Sequence, residues 1–166
     1  YVIELPFGKG KKFAQEGAAA SIFGGWTLSG IFTARTGRPF TINQSSNNVG
    51  TNLTGLPDQV GDPKGPETVD QWFNTAAFVA VPSGTFGNVT RNSLRGPNYK
   101  SVDFSLQRRL EISSRIGAVV RWDVFNAFNR VNFGLPNRNL SGGGFGTISS
   151  LGGDPRLMQV SLRLTF

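Results

Sequence analysis

The sequence predicts an all-β protein with an antiparallel sheet of the type that forms transmembrane β-barrels. Apolar and polar residues alternate with a period of two in five segments, most of them about 9 to 13 residues long. Strands of soluble proteins centre on about 5 or 6 residues, whereas a tilted strand needs about 9 to 11 to cross a bilayer. Aromatic residues also cluster at the strand ends, where a membrane barrel carries its interfacial girdles. These observations favour a sheet with one face in lipid.

The alternation is clearest in the last segment, MQVSLRLTF. Its apolar residues, from Met158 to Phe166, are separated by single polar residues. In a membrane barrel this pattern places apolar side chains towards lipid and polar side chains towards the interior. The five predicted strands are residues 1–7, 26–35, 102–110, 116–128 and 156–166.

The connections between these strands alternate in length. A Gly/Lys/Ala-rich link, 8–25, and a tight hairpin, 111–114, fall on one side, and the long segments 43–99 and 129–154 fall on the other. A loop of 57 residues would be unusual in a compact soluble domain. Short turns on one side and long loops on the other are typical of outer-membrane barrels. We therefore expect two long extracellular loops.

The hairpin between the third and fourth strands predicts a charge pair inside the barrel. A register that pairs even-numbered residues of one strand with even-numbered residues of the other places Phe104 and Trp122 on the same apolar face; this is called the even register. One such register sets Asp103 opposite Arg121, as a luminal charge pair, and opposite charges across a strand pair stabilise it by about 0.2 to 1 kcal/mol. The alternative is two unrelated, solvated charges.

Several segments resemble the late strands of TonB-dependent outer-membrane receptors of the Oar-like kind. They are GGWTLSGIFTARTGRPFTI (24–42), WFNTAAF (72–78), GTFGNVTRNSLRGPNYKSVDFSLQRRL (84–110), RWDVFNAFNRVNFGLPN (121–137) and DPRLMQVSLRLTF (154–166). The resemblance implies a barrel of about 22 strands, of which this chain would supply the last five. Residues 1–166 would then form one C-terminal barrel segment in the cell outer membrane, without a separate second domain and without the plug.

The resemblance also implies partners. The barrels of these receptors contact outer-membrane lipid, take up or bind a bulky solute, and couple to TonB through a plug, which this chain lacks. A final strand ending in phenylalanine is the signal that the barrel assembly machinery reads, and Leu162, Leu164 and Phe166 match it. The solute is unknown. The alternative function is a structural or adhesive surface barrel without transport.

Exposed aromatic and acidic residues of the first long loop are the candidate solute contacts, because exposed aromatics commonly mark binding surfaces. They are Asp58, Asp62, Trp72, Phe73 and Phe78. The alternative is that the aromatic residues pack the loop onto itself. The acidic residues of this loop match no EF-hand spacing, so we expect no metal.

Composition argues against catalysis and against nucleic-acid binding. Cysteine and histidine are both absent, which removes thiolate and imidazole chemistry. Two carboxylates lie on strands near Arg121, Asp123 in the sequence and Asp103 in the predicted register, so we expect them to balance the charge of the arginine. We expect no enzyme activity and no cofactor. The net charge of +7 is scattered, so we expect no nucleic acid as a partner. A first residue other than Met leads us to expect a fragment of a larger protein.

Overall fold

The computed structural model describes residues 1–45 and 54–166, so residues 46–53 of the predicted loop 43–99 lie outside the described residues. The elements are β1 (Val2–Glu4), α1 (Gly17–Phe23), β2 (Trp26–Arg35), β3 (Pro39–Phe40), β4 (Asp58–Gln59), a 3₁₀ turn (Thr75–Ala77), β5 (Phe78–Val79), β6 (Leu94–Arg95), β7 (Tyr99–Glu111), β8 (Gly117–Phe125) and β9 (Leu157–Thr165). The main sheet has five antiparallel strands in the order β1-β2-β7-β8-β9 and stays open within the described residues. The all-β prediction is confirmed.

The five predicted strands are the five strands of the main sheet, with differences at their ends. β1 stops well before Phe7, because Pro6 has no N–H to donate and its carbonyl accepts from Phe13 N as the chain turns. β8 ends at Phe125 because Asn126 has a positive φ of 47° and leaves the extended conformation. α1 was not predicted and interrupts the link 8–25.

The register of the β7–β8 hairpin corrects the predicted charge pair. Phe104 pairs with Val124, and Leu106 pairs with Trp122, so the predicted even register is confirmed. Arg121, however, lies opposite Gln107 rather than Asp103. The physical reason is the turn, in which Ile112 and Ser113 both donate their backbone N–H groups to the carbonyl of Ile116. This turn is centred later in the chain than the predicted one, and the pairing shifts with it.

β9 continues the same two-faced pattern at the edge of the sheet. Val120 pairs with Leu162, and Trp122 pairs with Val160, so the apolar residues of three strands share one face. On β9 that face is exposed, with Val160 73% and Leu162 64% exposed, whereas Ala118 and Val124 of β8 are covered by their neighbours. In the described residues, no helix has both the length and the apolar content that crossing a membrane requires.

The chain forms two compact units. The first, residues 1–34, 100–130 and 154–166, holds most of the main sheet. The second, residues 35–99 and 131–153, combines the predicted long loops. Its buried core explains why these loops are folded, and the core consists of Phe40, Ile42, Phe73, Ala77, Phe78 and Val89.

Two short strand pairs and a cluster of rings complete the second unit. β3 pairs with β6 and β4 pairs with β5, each over two residues. The ring of Phe73 lies 5.7 Å from that of Phe78 and 5.0 Å from that of Phe145, both edge to face. Aromatic pairs in this geometry contribute about 0.5 to 1.5 kcal/mol beyond the area that they bury. Phe145 comes from the second long loop, so the two loop segments stabilise each other.

Candidate functional site

The polar face of the main sheet carries three ordered rows of side chains. Because neighbouring strands are in register, Ser105, Asp123 and Gln159 form one row across β7, β8 and β9. Gln107, Arg121 and Ser161 form the next row, and Arg109, Val119 and Arg163 form the third. These residues lie on the face opposite to the exposed apolar side chains. The sheet therefore separates an apolar surface from a charged, hydrogen-bonding one.

A cavity of about 350 Å³ opens on this polar face. Asp103, Arg121 and Asp123 all line it, together with Ser29 and Ser105. The sequence-predicted pair Asp103 and Arg121 is thus brought to one cavity, but its members do not bind each other. Arg121 Nε instead donates to Asp123 Oδ1 at 2.8 Å, along the same strand. The cavity offers both acceptors and a cation to a polar molecule.

Asp103 stabilises the turn that follows β8. Its Oδ1 accepts from the backbone N–H of Asn126 at 2.8 Å and from Ser101 Oγ at 3.1 Å. Asn126 is only 7% exposed, and its side chain donates to the carbonyls of Arg130 and Asp154, both at 2.9 Å. These contacts give the FNAFNR segment a structural role, because asparagine tolerates the left-handed conformation that this turn requires.

A second cavity, of about 540 Å³, lies at the hairpin end of the same unit. Arg109, Arg115 and Arg163 line it, with Glu111 as the acidic residue of its lining. None of the three arginine side chains has an ion pair within the part of the chain that the structure describes. This end of the polar face is therefore positively charged and suited to anions.

The structure divides the candidate solute-contact residues of the loop unit. Phe73 is 2% exposed and Phe78 is 4% exposed, so both belong to the core and are removed from the candidate set. The alternative interpretation, in which aromatic residues pack the loop onto itself, describes their position. Trp72 is half-buried against this core, and its indole Nε1 donates to the carbonyl of Arg95 at 2.8 Å. Of the three aromatic residues, only Trp72 is not fully buried.

The two candidate aspartates each organise a piece of the loop unit. Asp58 is half-buried, and its carboxylate accepts from the N–H of Asn88 at 2.9 Å. Asp62 is exposed, and its carboxylate accepts from the N–H of Lys64 at 2.9 Å. Among the described residues, no three Asp, Glu, His or Cys side chains are placed together as metal ligands. Asp62 is the more accessible carboxylate for a solute.

The predicted assembly residues lie along the edge strand β9. Leu162 is 64%, Leu164 is 56% and Phe166 is 102% exposed. β9 pairs with β8 on one side and is the last strand of the sheet on the other. Its free edge offers backbone donors and acceptors to a further strand.

Two residues that the sequence did not single out have clear roles. Asn126 holds the turn described above. Arg108 is a charged residue in the apolar phase of β7, where it pairs with Val120, and its guanidinium binds the end of α1. The signal for Arg108 was present in the alternation itself, since a cation occupies a position where the pattern calls for an apolar residue.

Comparison with known proteins agrees with this two-faced sheet. Residues 1–159 match the family described as "Outer membrane beta barrel domain". No curated protein and no solved structure matches the chain. The family match covers nearly the whole sequence, and an outer-membrane barrel is the setting in which an exposed apolar sheet face meets lipid. The chain therefore belongs to the outer membrane beta barrel domain family, and its place is the outer membrane.

Proposed function

We propose that the chain is part of a receptor or transporter barrel that binds or takes up a bulky solute and couples to TonB through a plug outside this chain. The observation that carries the proposal is the folded loop unit, in which residues 35–99 and 131–153 share one aromatic core. Loops that are ordered before a ligand arrives lose less conformational entropy on binding. A preorganised loop unit is thus better suited to selecting a solute than flexible loops are.

The polar face supports the same proposal. Its cavity of about 350 Å³ combines Asp103, Arg121 and Asp123, which offer hydrogen bonds of both kinds to a polar solute. In the loop unit, Asp62 and the half-buried Trp72 are the proposed contacts, with Asp58 as a more buried third group than Asp62. Binding and passage need no chemical step, so the proposed function is not enzymatic.

The proposal also includes the route of assembly. Leu162, Leu164 and Phe166 would be read by the barrel assembly machinery as β9 adds its free edge to a template strand. Motifs similar to those of Oar-like receptors support this role and the proposed barrel of about 22 strands. Outer-membrane lipid would then cover the exposed apolar face.

The test is nutrient uptake by cells that carry the full-length protein with residues 54–98 deleted, which leaves strand β7 intact. The probes are a panel of oligosaccharides and iron chelates too large for general pores, and surface display is checked with an antibody. We expect the deletion, and separately the loss of TonB, to abolish growth on the same probe. Trp72→Ala and Asp62→Asn should weaken that growth, whereas Phe86→Ser, at a residue 82% exposed in the same unit, should not.

A structural or adhesive barrel gives a different result. Growth on every probe would then be independent of both the deletion and TonB, and the deletion would instead reduce attachment of cells to a surface. That outcome would refute transport.

A further inference from the structure

We propose that the link 8–25, with helix α1 in its second half, is a membrane-interface element that lies on the lipid side of the sheet and binds anionic phospholipid headgroups. This goes beyond the proposed solute function, because it concerns how the barrel is held in the bilayer. It follows from the composition of α1, from where its end is attached and from the charge around it.

The composition of α1 does not suit an exposed helix in water. Its sequence, GAAASIF, has no charged residue, and none of its residues is buried. Ile22 and Phe23 are each 57% exposed. A surface helix normally places polar residues on its solvent side and buries an apolar stripe. In α1, Ser21 is the single polar side chain and the apolar residues Ile22 and Phe23 stay exposed, so this end of the helix needs an apolar environment. In an outer-membrane barrel, lipid supplies that environment.

The attachment of α1 places its end on the apolar side of the sheet. The carbonyl of Ile22 accepts from Trp26 Nε1 at 3.0 Å and from Arg108 Nη1 at 2.9 Å, and Arg108 Nη2 also binds the carbonyl of Ser21. Arg108 belongs to the apolar face, since it pairs with Val120 two positions from the Leu106–Trp122 pair. Its guanidinium also lies 5.8 Å from the Trp26 ring centroid. Trp26 and Arg108, which both occupy apolar positions of the strand alternation, therefore hold the end of the helix.

This attachment also provides a reason for a cation on the apolar face. A guanidinium next to lipid is costly unless its donors are satisfied. The last carbonyls of a helix are unpaired and carry partial negative charge, so they suit Arg108 as acceptors. The helix carbonyls thus satisfy Nη1 and Nη2 of Arg108 at the edge of the apolar band, whereas its buried Nε has no hydrogen-bond partner among the described residues.

The charge of the link indicates the kind of lipid. The link contains three lysines, Lys9, Lys11 and Lys12, and a single acidic residue, Glu16. Lys11 pairs with Glu4 at 2.6 Å, but Lys9 and Lys12 have no ion pair among the described residues. Lys12 Nζ lies 5.4 Å from the centroid of the Phe13 ring. Lysines beside exposed aromatic and aliphatic residues are typical of segments that lie in the headgroup region of anionic membranes.

The experiment uses the full-length protein, otherwise free of cysteine, in vesicles of phosphatidylethanolamine and phosphatidylglycerol. A fluorophore is attached to a single cysteine, introduced as Phe23→Cys or as Ala19→Cys, which removes less of the native side chain. Lipids that carry a nitroxide quench this fluorophore either from just below the headgroups or from the bilayer centre. Leu162→Cys, on the lipid face, and Ser114→Cys, in the hairpin turn at the same end of the sheet, are the controls.

We expect the probes on α1 to be quenched most strongly by the shallow nitroxide, Leu162→Cys by the deep one, and Ser114→Cys by neither. Lys9→Gln with Lys12→Gln should reduce shallow quenching in these vesicles but not in neutral ones. Probes on α1 that behave like Ser114→Cys would overturn the proposal. So would shielding from water without lipid quenching, which would mean that a protein covers α1. Quenching only in the presence of lipopolysaccharide would overturn the phospholipid assignment.

Discussion

A charge placed on the exposed apolar face of β9 should destabilise the protein in its membrane far more than the same charge on the opposite face. Val160→Arg is the chosen change, because Val160 is 73% exposed and lies outside the proposed assembly residues. Gln159→Arg is the matched control, since it is the adjacent residue on the polar face and lies opposite Asp123. The two variants have the same added side chain at nearly the same depth.

The magnitude follows from the position of Val160 along its strand. β9 has 9 residues, from Leu157 to Thr165, so its middle is Ser161 and Val160 lies one residue away. One residue of strand is about 3.4 Å, and tilt reduces the depth change further. The free energy of unfolding should therefore fall by about 2 to 4 kcal/mol, the cost of arginine at the bilayer midplane. This loss corresponds to an increase of about 30- to 900-fold in the equilibrium constant for unfolding.

The assay is reversible denaturant unfolding of the full-length protein from lipid vesicles, followed by tryptophan fluorescence. We expect Val160→Arg to lower the free energy of unfolding by the amount above and Gln159→Arg to change it by less than about 1 kcal/mol. Equal losses for the two variants would refute the assignment of this face to lipid.

Three further changes test the other parts of the structure. Phe73→Ala should cost the loop unit about 3 to 5 kcal/mol and make it sensitive to proteolysis while membrane insertion is unchanged; an intact, resistant loop unit would contradict the aromatic core. Asn126→Ala should be less stable than Asn126→Gly by about 1 to 2 kcal/mol, because alanine resists the positive φ; equal stabilities would count against the turn. A double-mutant cycle on the free energy of unfolding should give a coupling energy of up to about 1 kcal/mol for Arg121 and Asp123, and a second cycle should give none for Arg121 and Asp103. Coupling of Arg121 to Asp103 instead of Asp123 would support the cross-strand pair that the sequence predicted.

Local patterns predicted the five main strands because a period of two is visible within each segment. The pairing partner of Arg121 could not be predicted in the same way. It depends on how many residues the turn between β7 and β8 takes, and the hydrogen bonds of Ile116 determine that number. A hairpin turn centred two residues later changes the partner of a residue by four positions while leaving both faces intact.

The loop unit and α1 were missed for different physical reasons. Phe73 packs on Phe145, which is far away in the sequence, and no short pattern predicts a contact of this kind. α1 has no alternation of apolar and polar residues, so periodicity gives no sign of it. The candidate contacts Trp72, Phe73 and Phe78 were identified as a cluster, but which of them face the core depends on this long-range packing.

A cysteine scan of β9 in the full-length protein, in outer-membrane vesicles, with a water-soluble thiol reagent shows whether one face of the five-stranded sheet meets lipid and the other meets water. We expect Gln159, Ser161 and Arg163 positions to react and Val160, Leu162 and Leu164 positions to be protected. Reactivity without this alternation, or with protection on the polar face instead, would contradict the account.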